Sequence, residues 1–219
     1  MRRLAKWTSI VGILGVAFAL MLCLGHVRAS DKEPRFPQLT MEQLGDQQRP
    51  LAAEINKVSS MGIAGPYNLM LRSPDMGQHL FDLLDYLRFH TSLPRRLNEF
   101  AILIQGRLWT AQVVWYAHYP AAIKAGLSES VAADLKQGKR PASMQPDEAV
   151  VYDFCTELST DRKVSDATFK RARAIFTDQQ IVDLIAVTGT YVEISMLLNA
   201  GEQGVPAGAA PPLESLAGH

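Results

Sequence analysis

The sequence has 219 residues, of which 47% are hydrophobic and 20% charged, and its 22 basic and 22 acidic side chains give a formal net charge of zero. This composition is typical of one globular domain with an appendage and excludes fibrous and low-complexity classes. No stretch carries the clustered basic excess that phosphate binding needs, so the sequence predicts no nucleic-acid partner.

The N-terminal segment has the pattern of a secretory signal. Residues 1–7 carry three basic side chains, residues 8–25 carry no charge, and Val27-Arg28-Ala29 follows them. A basic region, an apolar region and a small residue at the cleavage site predict removal of residues 1–29 and an exported, periplasmic protein. The alternative is an uncleaved membrane anchor, because an apolar run of 18 residues reaches the lower limit for spanning a bilayer.

Removal of residues 1–29 changes both the charge and the thiol content. It leaves 18 basic against 22 acidic side chains, and it leaves Cys155 as the single cysteine. The mature protein is therefore mildly acidic and has no intramolecular disulfide. Because Cys155 falls on an apolar helical stripe, it is expected to be a buried core residue and not a reactive thiol.

Apolar spacing predicts an all-α domain over residues 30–200, followed by a loose tail over residues 201–219. Capping residues and breakers place helices over residues 40–58 with a break at Pro50, 74–90, 94–106, 110–125, a short one after Ser128, 147–158, one from Ser165, and 177–199. Residues 62–72 are predicted to be non-helical. No stretch shows the sustained alternation of a sheet.

Glu99 and His118 are the ionisable residues that the pattern places in apolar surroundings. Glu99 directly precedes the apolar run 100–104, and His118 has small or apolar neighbours on its helix face. Burial is expected to raise the pKa of the carboxyl, and a neighbouring imidazole could share its proton. The alternative is structural: a hydrogen-bonded core histidine, and an ion pair of Glu99 with Arg95 or Arg96.

Two segments resemble the core of the carboxymuconolactone decarboxylase family, which shares its fold with the alkylhydroperoxidases. Residues 93–103 read Leu-Pro-Arg-Arg-Leu-Asn-Glu-Phe-Ala-Ile-Leu, and residues 115–128 read Trp-Tyr-Ala-His-Tyr-Pro-Ala-Ala-Ile-Lys-Ala-Gly-Leu-Ser. A looser resemblance extends over residues 69–199. It implies an alkylhydroperoxidase-like helical protomer that assembles into trimers or hexamers and binds a small-molecule substrate near subunit contacts.

The peroxidase branch of this family uses a glutamate, a Cys-x-x-Cys pair and a histidine nineteen positions after the glutamate as a proton relay. Glu99 and His118 match this spacing, but Ala111 and Val114 occupy the cysteine positions. Thiol-based peroxide reduction needs a thiolate and a resolving thiol. Peroxiredoxin activity is therefore disfavoured, and its residual form would have to use Cys155.

The decarboxylase branch has no cysteine requirement, and resemblance to it implies decarboxylation or isomerisation of a small organic acid or lactone without a cofactor. His118 would supply the proton, and Glu99 would orient the imidazole. The residues that could bind an anionic substrate are Arg72, Arg95, Arg107, Tyr67 and Trp115. The acid that commonly precedes the tryptophan in this branch is replaced by Val114, a departure from the pattern.

Two further interpretations follow from the same residues. No two histidines have the spacing of metal ligands on a helix, so no metal site is expected. A non-catalytic binding or assembly protein on the same fold is the alternative to an enzyme.

Overall fold

The computed structural model describes residues 35–59 and 61–216, and all regular structure in these ranges is helical. The all-α fold class predicted from the sequence is therefore confirmed. The predicted signal segment, residues 1–29, lies outside the described residues.

Nine α-helices follow one another within the described ranges, after a single 3-10 turn at Met41–Gln43. They are α1 (Arg49–Val58), α2 (Pro66–Met70), α3 (Pro74–Phe89), α4 (Arg95–Leu108), α5 (Gln112–Lys124), α6 (Glu129–Lys136), α7 (Pro146–Thr160), α8 (Asp166–Ile175) and α9 (Asp178–Ala200). The capping box predicted at Thr177 forms: its hydroxyl accepts from the Gln180 amide, and the Gln180 side chain accepts from the Thr177 amide.

Helix α4 is the centre of the bundle and packs against α5, α7 and α9. Every residue from Leu97 to Arg107 is buried, as expected for a helix that is apolar nearly all round. A Cβ added at Gly106 would lie 3.1 Å from Val114 Cγ1. The missing side chain thus lets α4 and α5 approach closely, which positions the side chains that these two helices share.

Helix α2 corrects the expectation that residues 62–72 are non-helical. Gly65 has a φ of +63°, and Pro66 occupies the first turn of the helix. A proline is tolerated at the first helical position, where its missing N–H has no partner to lose. The short helix buries Tyr67, whose ring then faces the core.

Helix α9 is 23 residues long and is the one described helix that is long and apolar enough to cross a membrane by length and composition. Within the bundle, however, 56% of its most apolar window is buried, and it packs against α2, α3, α4, α5, α7 and α8. Its hydropathy is that of a core helix surrounded by other helices.

The segment after Ala200 contains no helix up to residue 216, but it is attached to the bundle. The backbone of Leu213 exchanges two hydrogen bonds of 2.9 Å with the Gln112 side chain at the start of α5. The Glu214 carbonyl accepts from Arg107 at 2.9 Å. The part of the chain expected to be loose therefore has a specific attachment at residues 213–214.

Candidate functional site

The structure brings Glu99 of α4 and His118 of α5 into contact. His118 Nδ1 lies 2.8 Å from Glu99 Oε2. Glu99 is 1% exposed and His118 is 8% exposed. The two side chains selected from the sequence thus form one buried hydrogen bond between adjacent helices.

The charge state of Glu99 differs from the sequence expectation. Burial acts to raise the pKa of this carboxyl, but the hydrogen bond and charge of His118 and the charges of Arg95 and Arg88 outweigh it, so the pKa is lowered. The expected rise in pKa is corrected because the partners of Glu99 are cationic or hydrogen-bond donors. Glu99 is a carboxylate that accepts from Nδ1–H of His118.

The second oxygen of Glu99 forms the ion pair with Arg95 that the structural alternative predicted. Arg95 Nη2 lies 2.9 Å from Glu99 Oε1, one helical turn away, and the arginine side chain is 46% exposed. Glu99 therefore uses one oxygen for an ion pair at the helix end and the other for the imidazole. Arg96 pairs instead with Asp147 and Glu148.

Tyr191 of α9 completes the site, and the sequence pattern did not single it out. Its Oη lies 3.1 Å from His118 Nε2, and the two rings are perpendicular with centroids 5.0 Å apart. Burial raises the pKa of the Tyr191 hydroxyl, which therefore stays protonated and donates to Nε2 when the imidazole is neutral. A phenol on a buried helix face is the signal that could have identified it.

His118 and Tyr191 line a cavity of about 1040 Å³, at the upper end of the roughly 300–1,000 Å³ of small-molecule sites. Its wall includes Tyr67 of α2, Arg88 of α3, Trp115 and His118 of α5, and Tyr191 of α9. Nε2 of His118 faces this wall, whereas Glu99 lies behind the imidazole. The arrangement can hold a neutral imidazole with a defined tautomer beside a largely apolar space.

The arginines predicted to bind substrate lie elsewhere, and the cavity lining excludes Arg72, Arg95 and Arg107. Arg72 is exposed and donates to the Pro37 carbonyl. Arg107 is buried, and its guanidinium donates to the Lys136 and Glu214 carbonyls and to Thr110. These contacts give the three guanidinium groups other partners: the Pro37 carbonyl for Arg72, the Glu214 carbonyl and Thr110 for Arg107, and Glu99 for Arg95. Tyr67 and Trp115 do line it.

Ala111 and Val114, which occupy the cysteine positions of the peroxidases, and Cys155 are all buried. Ala111 and Val114 are buried at the start of α5. Cys155 of α7 is fully buried, its Sγ lies 3.3 Å from Thr188 Oγ1, and burial raises the pKa of its thiol to about 12. Cys155 is absent from the cavity lining. In the part of the chain that the structure describes, no three His, Cys, Asp or Glu side chains are grouped to hold a metal ion.

No protein-family model matches the sequence, and no curated protein matches it at a significant level. Solved structures do match. An uncharacterized peroxidase-related protein with an alkylhydroperoxidase AhpD core, from Ralstonia eutropha, superposes with a TM-score of 0.65 and 19% identity over 77% of this chain and 90% of that chain. An uncharacterized peroxidase-related protein from a Silicibacter species gives a TM-score of 0.64 and 17% identity over 80% of this chain and 93% of that one.

A third match is a protein of unknown function from Agrobacterium tumefaciens, with a TM-score of 0.57 and 16% identity over 65% of this chain and 99% of that chain. At these identities the likeness concerns the fold alone. The chain thus has the all-helical fold of AhpD-like alkylhydroperoxidase core proteins.

Proposed function

We propose that this protein catalyses cofactor-free proton transfer on a small organic acid or lactone, with decarboxylation or isomerisation as the outcome. The observation that supports this function is the hydrogen-bonded chain from Glu99 through His118 to Tyr191, which ends on a cavity wall. Such a chain positions one imidazole nitrogen for acid–base work.

Each member of the chain has a separate task in this proposal. The Glu99 carboxylate holds Nδ1–H, which leaves the Nε2 lone pair of His118 as the base and stabilises the imidazolium once it forms. Tyr191 donates to Nε2 in the resting state. A substrate proton can reach Nε2 directly, once the Tyr191 hydroxyl has broken its hydrogen bond to Nε2. It can also travel through the phenol, which gives its own proton to Nε2 as it takes the proton of the substrate.

The proton balance is simple for both reactions. In isomerisation, Nε2 removes a proton from a carbon beside the substrate carbonyl, the imidazolium exchanges this proton with solvent, and it then returns a solvent-derived proton to another carbon of the conjugated system. In decarboxylation, His118 first takes a proton from solvent; the bond to the carboxylate then breaks, the electron pair moves into the carbonyl system, carbon dioxide leaves, and the imidazolium protonates the carbon.

Peroxiredoxin activity is the second candidate, since two of the structural relatives are described as peroxidase-related. In this chain the described cavity lining contains no thiol, and Cys155 is fully buried. Reduction of a peroxide requires an accessible thiolate. The geometry therefore favours proton transfer over thiol chemistry.

The test is a panel of carbon acids, beginning with α-angelica lactone and acetoacetate, incubated with the protein in D2O and followed by proton NMR. We expect deuterium incorporation, double-bond migration or loss of carbon dioxide with the unaltered protein. His118→Ala should lower the rate by about 10²–10⁴-fold. Its melting temperature should fall as well, because Glu99 Oε2 and the Tyr191 hydroxyl lose their buried partner, so a melting curve must show that the variant is still folded under the assay conditions.

The matched control is His79→Ala, which removes an exposed histidine of α3 and should leave the rate unchanged. Equal rates for His118→Ala and the unaltered protein would contradict the proposal. Failure of the whole panel would favour the non-catalytic binding protein. Peroxide turnover that survives His118→Ala but not Cys155→Ser would favour the thiol route.

Export and assembly into a trimer or hexamer belong to the same proposal. Assembly is supported by three exposed apolar side chains along α9, Val182, Ile185 and Met196, because exposed apolar surface of this kind commonly marks a protein contact. Light scattering of the purified protein measures the mass of the assembly, and mass spectrometry of the secreted form locates the N-terminus.

A further inference from the structure

We propose that Arg88 and Tyr67 are the anion-binding groups of the cavity, and that the ligand is a carboxylate with an apolar body. This inference names the ligand class of the site described above and rests on the proposed function only for the reaction that follows binding. It moves the anion-binding role from the three arginines predicted from the sequence to one that the sequence analysis did not select.

Arg88 is the cavity-wall arginine, and its guanidinium is only partly satisfied. Nη1 donates to Tyr67 Oη at 2.7 Å. Nε is buried and has no hydrogen-bond partner among the described residues. The guanidinium lies 4.8 Å from the Phe89 ring centroid, a contact that does not use its N–H groups. The guanidinium thus borders the cavity with its hydrogen-bonding capacity only partly used.

Six other arginines have the carboxylate partner that Arg88 and Arg107 lack among the described residues, and Arg107 lies outside the cavity lining and donates to two carbonyls and Thr110 instead. Six arginines in the described ranges form ion pairs with carboxylates: Arg35, Arg95, Arg96, Arg140, Arg171 and Arg173. Arg88 forms no such pair with a described residue. A half-buried guanidinium without a carboxylate is costly, and a ligand carboxylate would supply the missing partner in the bidentate geometry that guanidinium favours.

Tyr67 adds a second donor at the same place. Because it accepts from Arg88 Nη1, its own O–H proton is left to donate. The ring is held by α2 and by an edge contact with Phe81, with centroids 6.2 Å apart. A carboxylate bound here would receive hydrogen bonds from both the guanidinium and the phenol.

The composition of the whole cavity wall agrees with an anionic, partly apolar ligand. Its described lining contains Arg88 and Lys136 but no aspartate or glutamate. The wall also contains apolar and aromatic side chains, among them Leu84, Val113, Trp115, Ile194 and Leu198. A positive wall without acids selects an anion, and the apolar surface selects a hydrocarbon body.

The experiment is a ligand-observed NMR titration of the full chain with benzoate and with benzamide, its neutral analogue of similar shape. We expect benzoate to bind at least about ten-fold more tightly than benzamide, because hydrogen bonds to a charged partner are the stronger ones. Arg88→Gln should weaken benzoate binding by at least about ten-fold and leave benzamide binding unchanged. Arg88→Lys should fall between these values, since the charge stays but the fork is lost.

Arg140→Gln is the matched control. It removes an exposed arginine that pairs with Asp153 outside the cavity lining, and it should leave benzoate binding unchanged. A melting curve for each variant shows that it is folded. The proposal is overturned if benzoate does not bind, if Arg88→Gln binds it as the unaltered protein does, or if Arg140→Gln weakens it equally.

His118→Ala separates this inference from the proposed function. It should retain benzoate binding within about two-fold while losing turnover, because the binding is assigned to other side chains. Loss of turnover in His118→Ala with benzoate binding insensitive to Arg88→Gln would overturn the anion site alone. Benzoate binding that depends on Arg88, without turnover by any variant, would overturn the reaction alone.

Discussion

Two polar contacts with α9 lie three residues apart on that helix and have opposite characters. Tyr191 contacts His118, whose ring borders the cavity. Thr188 contacts Cys155, which has no exposed surface. The Thr188 hydroxyl donates to the Leu184 carbonyl at 2.7 Å, so the thiol is the donor in its contact with Thr188. Helix α9 therefore contacts both a histidine that borders the cavity and a cysteine that is fully buried.

The comparison shows that burial alone does not predict chemistry. Burial raises the pKa of Cys155 to about 12, and the hydrogen bond with Thr188, which acts to lower this pKa, does not offset it. Glu99 is also buried, yet its pKa is lowered because charged and donating groups surround it. What distinguishes the His118 site is the combination of charged partners with an opening to a cavity.

The largest expected effect is on the reactivity of Cys155. With a buried, protonated thiol, labelling by a disulfide reagent at pH 8 should be at least about 10³-fold slower in the native protein than in urea, because labelling requires unfolding. Comparison with Cys155→Ser subtracts the signal of Cys23. Fast native labelling would show that the thiol reaches solvent and would remove the contrast between the two sites.

The next effect is on stability at Glu99. Glu99→Ala removes the carboxylate partner of a buried imidazole and of Arg95, and should lower the free energy of unfolding by about 3 kcal/mol at pH 7. Cys155→Ala removes a smaller, neutral contact and should cost about 1 kcal/mol. Urea titrations measure both values, and equal losses would contradict the ranking.

The same variant tests the pKa of Glu99. A carboxyl whose pKa is lowered by folding contributes stability that is fully present above its unfolded value, about 4.3, and is lost as the pH falls through its folded value. The difference in stability between the unaltered protein and Glu99→Ala should therefore narrow below about pH 4. A difference that widens there would mean that the pKa is raised.

The smallest expected effect comes from removing either of two hydroxyl groups of α9, those of Tyr191 and Thr188. Tyr191→Phe and Thr188→Val each remove one hydroxyl, and each should cost about 1 kcal/mol of stability. Only Tyr191→Phe should also slow deuterium incorporation into the lactone, by about ten-fold, because the phenol no longer passes the substrate proton to Nε2. Equal rates for the two variants would place Tyr191 in a structural role.

The helices and the central pair could be predicted from local patterns. Glu99 before an apolar run and His118 among small residues were visible because isolated charges in apolar sequence are costly unless paired. Tyr191 could not be selected from the sequence, because it lies among the apolar residues of its helix. Arg88 resembled an ordinary basic residue near a helix end, and α2 was concealed by its Gly-Pro start.

The sequence by itself determined the all-α class, most helix starts and the absence of the cysteine pair, because capping, periodicity and residue identity are local properties. Only the tertiary structure decided which arginine borders the cavity, which phenol reaches Nε2 and whether Cys155 meets solvent. Those outcomes depend on how helices distant in sequence pack, and a few ångströms of packing decide whether a polar group finds a partner or an opening.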